Sequence, residues 1–164
     1  MRKTIMDLKE TRAAYGLSQK DAALSLGVPL RTYRRYECDE GYGNAIKRQA
    51  FVSLLKERYE VDEDHGLLSV GLIREKLTDL FNREYPGEVS FCYLFGSYAK
   101  GTAGDRSDVD LYVASSLTGL SFVGLIEAIR QTLHKRVDVI RGSELVDNLE
   151  LVNEILKDGI KIYG

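Results

Sequence analysis

Three aspartates occur in segments whose patterns could present them on one surface. Asp108 and Asp110 are two residues apart in an alternating segment, 108–114, that predicts a β-strand, so their side chains share a face. Asp138 lies between two valines of a second short strand, predicted over 136–140, and faces away from the core that those valines enter. If the two strands are neighbours, three hard carboxylate ligands converge. Such a cluster suits two Mg²⁺ ions in a phosphoryl-transfer site.

A glycine and a serine follow the apolar segment Val89–Phe95, which predicts a buried strand. Gly96 would let a phosphate group approach the backbone closely. Ser97 would open a helix, whose first N–H groups have no partner within the helix and can bind an anion. The serine could serve only as a helix cap, and the two roles are compatible. The pair therefore predicts a phosphate-binding turn.

The segment Leu94–Leu111, LFGSYAKGTAGDRSDVDL, contains Gly-Ser, ten further residues and then Asp-x-Asp. This pattern resembles the polymerase-beta nucleotidyltransferase superfamily, and in particular its minimal nucleotidyltransferases (MNT). The resemblance covers about residues 70–164 and includes Ser107, the Arg-Val-Asp-Val strand around Asp138 and the C-terminal EILKDGIKIY. It implies the fold of that superfamily for this part of the chain.

Roles follow from the resemblance by position. Asp108 and Asp110 would bind both metal ions, and Asp138 would bind the catalytic ion and help to activate an acceptor hydroxyl. The residues that would contact the nucleotide are Gly96, Ser97, Lys100 and Ser107. The implied reaction is in-line attack of a hydroxyl on the α-phosphorus of ATP or another nucleoside triphosphate, with release of pyrophosphate. Catalysis would come mainly from positioning and charge stabilisation.

The alternative for the Asp-x-Asp pair is a solvated strand face, which is the usual setting of such a pair when it stands alone. Here Asp108 and Asp110 are accompanied by Gly96 and Ser97 at the spacing of the family and by Asp138 on another strand. The combination favours the metal-binding interpretation.

The first sixty residues predict a run of short helices. Ser18 is a cap for a helix over Gln19–Ser25, and Pro29 suits the first turn of a helix that reaches Glu37. A further helix is predicted over Ala45–Tyr59, where apolar residues recur at helical spacing.

Within this region, about Leu8–Phe51 resembles the helix-turn-helix domains of the XRE/phage-repressor family, through GLSQKDAA and LGVPLRTYRRYE. The residues that would face DNA are Gln19, Arg31, Thr32, Arg34 and Arg35. The resemblance implies that Gln19 contacts the DNA backbone and that Arg31 and Arg35 read bases. The alternatives are that these arginines form a solvated basic face, or that the domain binds a protein.

We therefore predict an α+β protein. An all-α helix-turn-helix domain occupies residues 1–60, a linker 61–68, and a small nucleotidyltransferase domain, with a mixed sheet flanked by helices, residues 69–164. The formal charge of −2 divides into +4 over residues 1–60, with 12 basic and 8 acidic side chains, and −6 over residues 61–164, with 11 and 17. This split suggests two units with different partners.

Composition excludes several classes of protein. No apolar run approaches the ~20 residues of a membrane span, so no membrane partner is expected. The two cysteines, Cys38 and Cys92, are too far apart to indicate a disulfide framework or a cysteine-based zinc site. A reducing cytoplasm is the simplest setting.

Resemblance to the MNT antitoxins implies transfer of AMP to a tyrosine of a HEPN toxin, which silences the toxin. Larger relatives carry a C-terminal helical domain that helps to bind the acceptor; we expect none here, and therefore expect an acceptor that is a macromolecule or is held by a partner subunit. The N-terminal domain would bind the operator DNA of its own operon, as a homodimer if it follows related repressors. The alternatives are a regulator whose second domain only senses nucleotides, and an enzyme that modifies a small molecule such as an antibiotic.

Overall fold

The computed structural model describes residues 7–164, which divide into two compact units. The first comprises residues up to 60 together with 66–72, and the second comprises 61–65 together with 73–164. Residues of the predicted linker, 61–68, are thus shared between the units. Residues 1–6 of the predicted N-terminal domain lie outside the described part of the chain. None of the helices between residues 7 and 164 has the length and apolar character needed to cross a membrane.

Between residues 7 and 60, the first unit contains four helices: α1 (Leu8–Ala14), α2 (Gln19–Ser25), α3 (Leu30–Cys38) and α4 (Ala45–Tyr59). The predicted bounds of α2 and α4 are confirmed. Pro29 lies at the N-cap of α3 rather than in its first turn, and the helix ends at Cys38, one residue beyond the predicted Glu37. Ser18 caps α2, because its hydroxyl accepts a hydrogen bond from the backbone N–H of Asp21 at 3.1 Å. The helix-turn-helix identity of this unit stays a prediction.

Apolar side chains from all four helices form the core of this unit. Its members are Leu8, Leu17, Ala22, Ala23, Tyr33, Tyr36, Phe51, Val52 and Leu55. From α3, Tyr33 and Tyr36 point inward, and this leaves the arginines at 31, 34 and 35 exposed. Since burying a large apolar side chain is worth about 1.5–3 kcal/mol, the core fixes which face of α3 meets solvent.

A buried ion pair joins α1 to α3. Arg12 Nε donates to Glu37 Oε2 at 2.8 Å and Arg12 Nη2 donates to Oε1 at 3.0 Å, while the Glu37 side chain is only 2% exposed. Gln19 Nε2 donates to the same Oε1 at 2.8 Å. Burial by itself raises the pKa of Glu37, but hydrogen bonds from Arg12, Gln19 and Tyr33 outweigh it, so the pKa lies below its ordinary value.

The second unit takes in helix α5 (Val70–Glu84) from Ile73 onward. The elements that follow are β1 (Val89–Phe95), α6 (Gly96–Lys100), β2 (Val109–Ser115), α7 (Gly119–Leu133), β3 (Val137–Arg141), α8 (Gly142–Leu145), α9 (Leu149–Asp158) and β4 (Ile160–Tyr163). The strands form one sheet in the order β3-β2-β1-β4. Because β3 is parallel to β2 and the other pairs are antiparallel, the predicted mixed sheet is confirmed.

One face of the sheet is buried by the two longest helices of this unit. Val109, Leu111 and Val113 alternate along β2 and are all 0% exposed. Fully buried residues of α5 and α7, including Ile73, Leu77, Leu125 and Ile129, complete the core. The opposite face of β2 is free to carry polar side chains.

The structure differs from the predicted elements at the starts of two strands and in one short helix. Strands β2 and β3 begin at Val109 and Val137, one residue later than predicted. Asp108 therefore lies just before its strand, because the ladder starts where the Val109 N–H donates to the Arg136 carbonyl at 3.0 Å. The four-residue helix α8 was not predicted, since one turn is too short to show a hydrophobic period.

We expect the Glu37→Gln substitution to destabilise the first unit by about 3 kcal/mol, because it leaves the Arg12 charge without its partner. The wild-type pair should also respond to acid. The pKa of Glu37 is lower in the folded state than its ordinary value of 4.5. The pair therefore contributes fully to the free energy of unfolding when the pH is above 4.5, and this contribution is lost as the pH falls through the folded-state pKa.

Urea unfolding of the full chain, followed by circular dichroism between pH 3 and pH 7, measures both effects. The variant should lose the acid-dependent part of the wild-type stability. If wild type and Glu37→Gln had the same free energy of unfolding at pH 7, the Arg12–Glu37 pair would not stabilise the first unit.

Candidate active site

Two of the three aspartates stand side by side in the sheet. In the parallel ladder, Asp110 of β2 is the register partner of Asp138 of β3. In the antiparallel ladder, Asp110 pairs with Phe95, the last residue of β1, so the turn at Gly96 lies at the same end of the sheet. The expectation that the two carboxylate strands are neighbours is confirmed. The structure thus brings Asp110, Asp138 and Gly96 together.

Gly96 is in close contact with Asp110. It adopts a φ of +65°, a conformation that strongly favours glycine. A Cβ added there would overlap the Asp110 carboxylate Oδ2 and lie 2.9 Å from its Cγ. Helix α6 begins at this residue and continues through Ser97, which is half-buried in the first turn. Glycine is therefore required both by the turn and by the carboxylate against it.

The end of the sheet carries excess negative charge. The pKa of Asp110 is raised to about 6, first by burial and then by the charges of Asp138, Asp108 and Glu154; Lys100 opposes the shift. A carboxylate with this environment is stabilised in its charged form when a cation arrives.

Carboxylate oxygens are the donors that Mg²⁺ prefers, so the chemistry of the three aspartates fits that ion. Their arrangement is not a preformed metal site. Across residues 7–164, no three His, Cys, Asp or Glu side chains are gathered closely enough to hold a metal ion. Asp108 is instead directed to Arg136, with 3.1 Å between Asp108 Oδ1 and Arg136 Nε. Metal binding by these residues stays a prediction.

Lys100, predicted to contact the nucleotide, is paired with a carboxylate. Its Nζ lies 2.5 Å from Oε1 of Glu154 on α9. Glu154 is thus a fourth acidic group beside Asp110, and sequence analysis did not identify it as a site residue. No local signal could have found it, because its place depends on how α9 packs near α6.

The remaining predicted nucleotide contact, Ser107, holds the loop between α6 and β2. Its Oγ accepts a hydrogen bond from the backbone N–H of Gly104 at 2.9 Å, and its own N–H donates to the Gly104 carbonyl at 3.1 Å. The loop is tied to α6 by a bond from the Thr102 N–H to the Ser97 carbonyl, at 2.9 Å. Ser107 therefore shapes the approach to Asp108, and its contact with nucleotide stays a prediction.

The predicted DNA-binding residues lie on α2 and α3 of the first unit. Arg34 Nε donates to Gln19 Oε1 at 3.2 Å, and Gln19 is held in turn by the buried Glu37. The Arg35 guanidinium lies 3.9 Å above the centre of the Tyr42 ring. Arg31 is exposed and Thr32 half-buried. A surface depression of about 600 Å³ is lined by Gln19, Leu30, Arg31, Arg34, Arg35, Cys38 and Asp39.

The family model "Polymerase beta, Nucleotidyltransferase" matches residues 75–164, which include every aspartate and glycine of the site. The chain belongs to this family. The match confirms the nucleotidyltransferase identity of the second unit, and it leaves the first unit unassigned. No curated protein matches this nucleotidyltransferase significantly.

Solved structures of toxin–antitoxin pairs are similar to part of the nucleotidyltransferase. A toxin–antitoxin complex with AMP-PNP is 25% identical; the match covers 56% of this chain and 73% of that chain, with a TM-score of 0.46. A complex of tri-AMPylated Shewanella oneidensis HEPN toxin with MNT antitoxin is 22% identical, covering 58% and 72%, with a TM-score of 0.44. The family assignment itself rests on the match over residues 75–164.

Two glycines provide a matched test of the contact with Asp110. We expect Gly96→Ala to lower nucleotidyl transfer by about 100-fold, because misplacing a reacting group by 1 Å can cost that much. Gly101→Ala is the control. Gly101 has a similar φ of +70°, but a Cβ added there meets nothing within 4 Å.

Both substitutions should cost about 1–2 kcal/mol of folding free energy from the left-handed backbone. Urea unfolding measures that shared cost, and transfer assays measure the difference. If the two variants lost activity equally, the Asp110 contact would have no special role.

Proposed function

We propose that this nucleotidyltransferase transfers AMP from ATP to a hydroxyl of a macromolecular acceptor. The observation that carries the proposal is the register pairing of Asp110 with Asp138 beside the Gly96 turn. This arrangement places two acidic groups and a backbone turn open to phosphate at one end of the sheet. The family match supports the reaction class.

Each residue has a distinct part in the proposed reaction. Asp108, Asp110 and Asp138 would hold Mg²⁺, which would neutralise phosphate charge and lower the barrier to attack on the α-phosphorus. Gly96 and Ser97 would bind the β- and γ-phosphates through the first backbone N–H groups of α6. Asp138, on the edge strand, would accept the proton of the attacking hydroxyl.

Lys100 would stabilise the charge that develops on the leaving pyrophosphate. To do so its ammonium must exchange the Glu154 carboxylate for a phosphate oxygen. The ion pair is partly exposed, with 42% and 32% of the two side chains accessible, so breaking it costs little. The exchange is therefore compatible with nucleotide binding.

The acceptor we propose is a tyrosine of a HEPN toxin encoded beside this chain, and the modification would silence that toxin. Support comes from the sequence resemblance to MNT antitoxins, carried by Gly96-Ser97, Asp108-Val-Asp110 and Asp138. In this role the protein is an antitoxin.

The first unit, we propose, binds the operator of the same operon and so regulates its expression. The support is the exposed basic face of α3, with Arg31, Arg34 and Arg35 directed outward from the core. Glu37 pre-orients Gln19, and Gln19 pre-orients Arg34, so two side chains of this face are held before DNA arrives.

Radiolabelled transfer tests the enzymatic proposal. With [α-³²P]ATP, Mg²⁺ and the purified neighbouring HEPN protein, we expect label on that protein. Asp108→Asn should lower the rate by at least about 100-fold because a charged ligand is lost. Asp79→Asn is the control, because Asp79 is an exposed carboxylate on α5 that pairs with Arg83.

Label on the toxin that persists in Asp108→Asn would contradict the assigned site. Label on an antibiotic alone would favour a small-molecule enzyme. Absence of transfer to every acceptor, with operator binding intact, would favour a nucleotide-sensing regulator.

Operator binding is measured by fluorescence anisotropy on a duplex from the promoter of the operon, at fixed salt. We expect Arg31→Ala to cost about 1–3 kcal/mol of binding free energy, as for loss of a base-reading arginine. Arg58→Ala is the control, since Arg58 is an exposed arginine at the end of α4. Equal affinities of the two variants would exclude this use of α3.

A further inference from the structure

Lys135 is a fully buried lysine in the segment between α7 and β3. Its exposed fraction is 0%, which is rare for a lysine, since an ammonium loses its hydration when buried. The family signature does not include it, and the reaction proposed above does not use it. Its burial therefore requires an explanation.

The ammonium of Lys135 binds the loop between α6 and β2. Nζ donates to the backbone carbonyl of Asp105 at 2.6 Å. Burial lowers the pKa of Lys135, whereas the negative charges of Asp105, Asp62 and Asp108 oppose this shift. The side chain is thus held by a carbonyl, and its charge is attracted by these carboxylates and repelled by the guanidinium of Arg136.

The residue after Lys135, Arg136, makes further contacts with the same part of the chain. The Arg136 carbonyl accepts a hydrogen bond from the Val109 N–H at 3.0 Å, and the Arg136 guanidinium pairs with Asp108. Lys135 and Arg136 therefore hold the chain on both sides of Asp108, at Asp105 and at Val109. Between these points lie residues 106–108, which include Ser107 and Asp108.

We propose that Lys135 is a positioning residue for nucleotidyl transfer: its buried ammonium anchors Asp105 and so fixes where the loop presents Ser107 and Asp108. This inference rests on the proposed function. Lys135 contacts neither substrate nor the reacting atoms and acts through Asp108. A merely structural contact would contribute to the stability of the fold and would leave the Mg²⁺ dependence of transfer unchanged.

The matched variants are Lys135→Met and Lys76→Met. Lys76 on α5 makes the same kind of bond, from Nζ to the Thr132 carbonyl of α7 at 3.2 Å. Lys135→Met should lower the Tm of the metal-free protein by about 3–10 °C, because it removes one charge-assisted hydrogen bond. It should also raise the Mg²⁺ concentration for half-maximal transfer about 10- to 100-fold, as the loss of an outer contact does at other metal sites. Lys76→Met should leave that concentration unchanged.

A second readout does not need the reaction. Mn²⁺ should raise the Tm of wild type and of Lys76→Met, and should raise that of Lys135→Met less at the same concentration. If Lys135→Met fails to fold, Lys135→Gln replaces it, because its amide can still donate to Asp105 and should restore part of the Mn²⁺ effect.

Equal Mg²⁺ dependence and equal Mn²⁺ shifts in the Lys135 and Lys76 variants would overturn the inference. A wild type that transfers nothing to any acceptor would instead overturn the proposed function, and the Mn²⁺ comparison would still decide the role of Lys135.

Discussion

The candidate site of the second unit depends on two like charges, Asp110 and Asp138, that the sheet holds side by side. Parallel pairing of β2 with β3 sets Asp110 beside Asp138, and the partial burial of Asp110 adds to the cost of its charge. The hydrophobic pattern enforces this arrangement: a slip of β2 by one residue would turn Val109 and Leu111 from the core to solvent. The burial of apolar side chains on one face thus maintains an unfavourable pair of charges on the other, as is common at functional sites.

In the first unit, by contrast, the buried carboxylate of Glu37 is paired with an opposite charge. Glu37 receives Arg12 and Gln19, and its pKa is lowered, whereas the pKa of Asp110 is raised. Glu37 contributes to stability and orients the exposed face of α3. At Asp110 the charge of Lys100 offsets burial and the neighbouring carboxylates only in part, so the carboxylate is available to a cationic ligand.

Short-range patterns account for what the sequence predicted correctly. Alternation of apolar residues along β2 identified the face of Asp110, and Ser18 marked the start of α2, because both signals are local. The roles of Glu154 and Lys135 could not be predicted. Each depends on tertiary packing that brings together residues far apart in the chain, Glu154 with Lys100 and Lys135 with Asp105. Asp108 was predicted within the strand, and its place just outside reflects the ladder beginning at Val109.

The ion pairs of the site divide its acidic groups into two classes. Asp108 is paired with Arg136 and Glu154 with Lys100, whereas within residues 7–164 no ion pair forms at Asp110 or Asp138. A nucleotide with its metal ion brings both a cation and an anion. Under the proposed function, the ion pairs Asp108–Arg136 and Glu154–Lys100 can therefore separate, and each side chain can bind an opposite charge of the ligand. The carboxylates would turn to the cation and the basic side chains to the phosphates, and no charge would be left unpaired. The excess of acidic residues in the second unit is therefore consistent with binding a polyanion, because the basic groups needed for phosphate are already present and held by exchangeable partners.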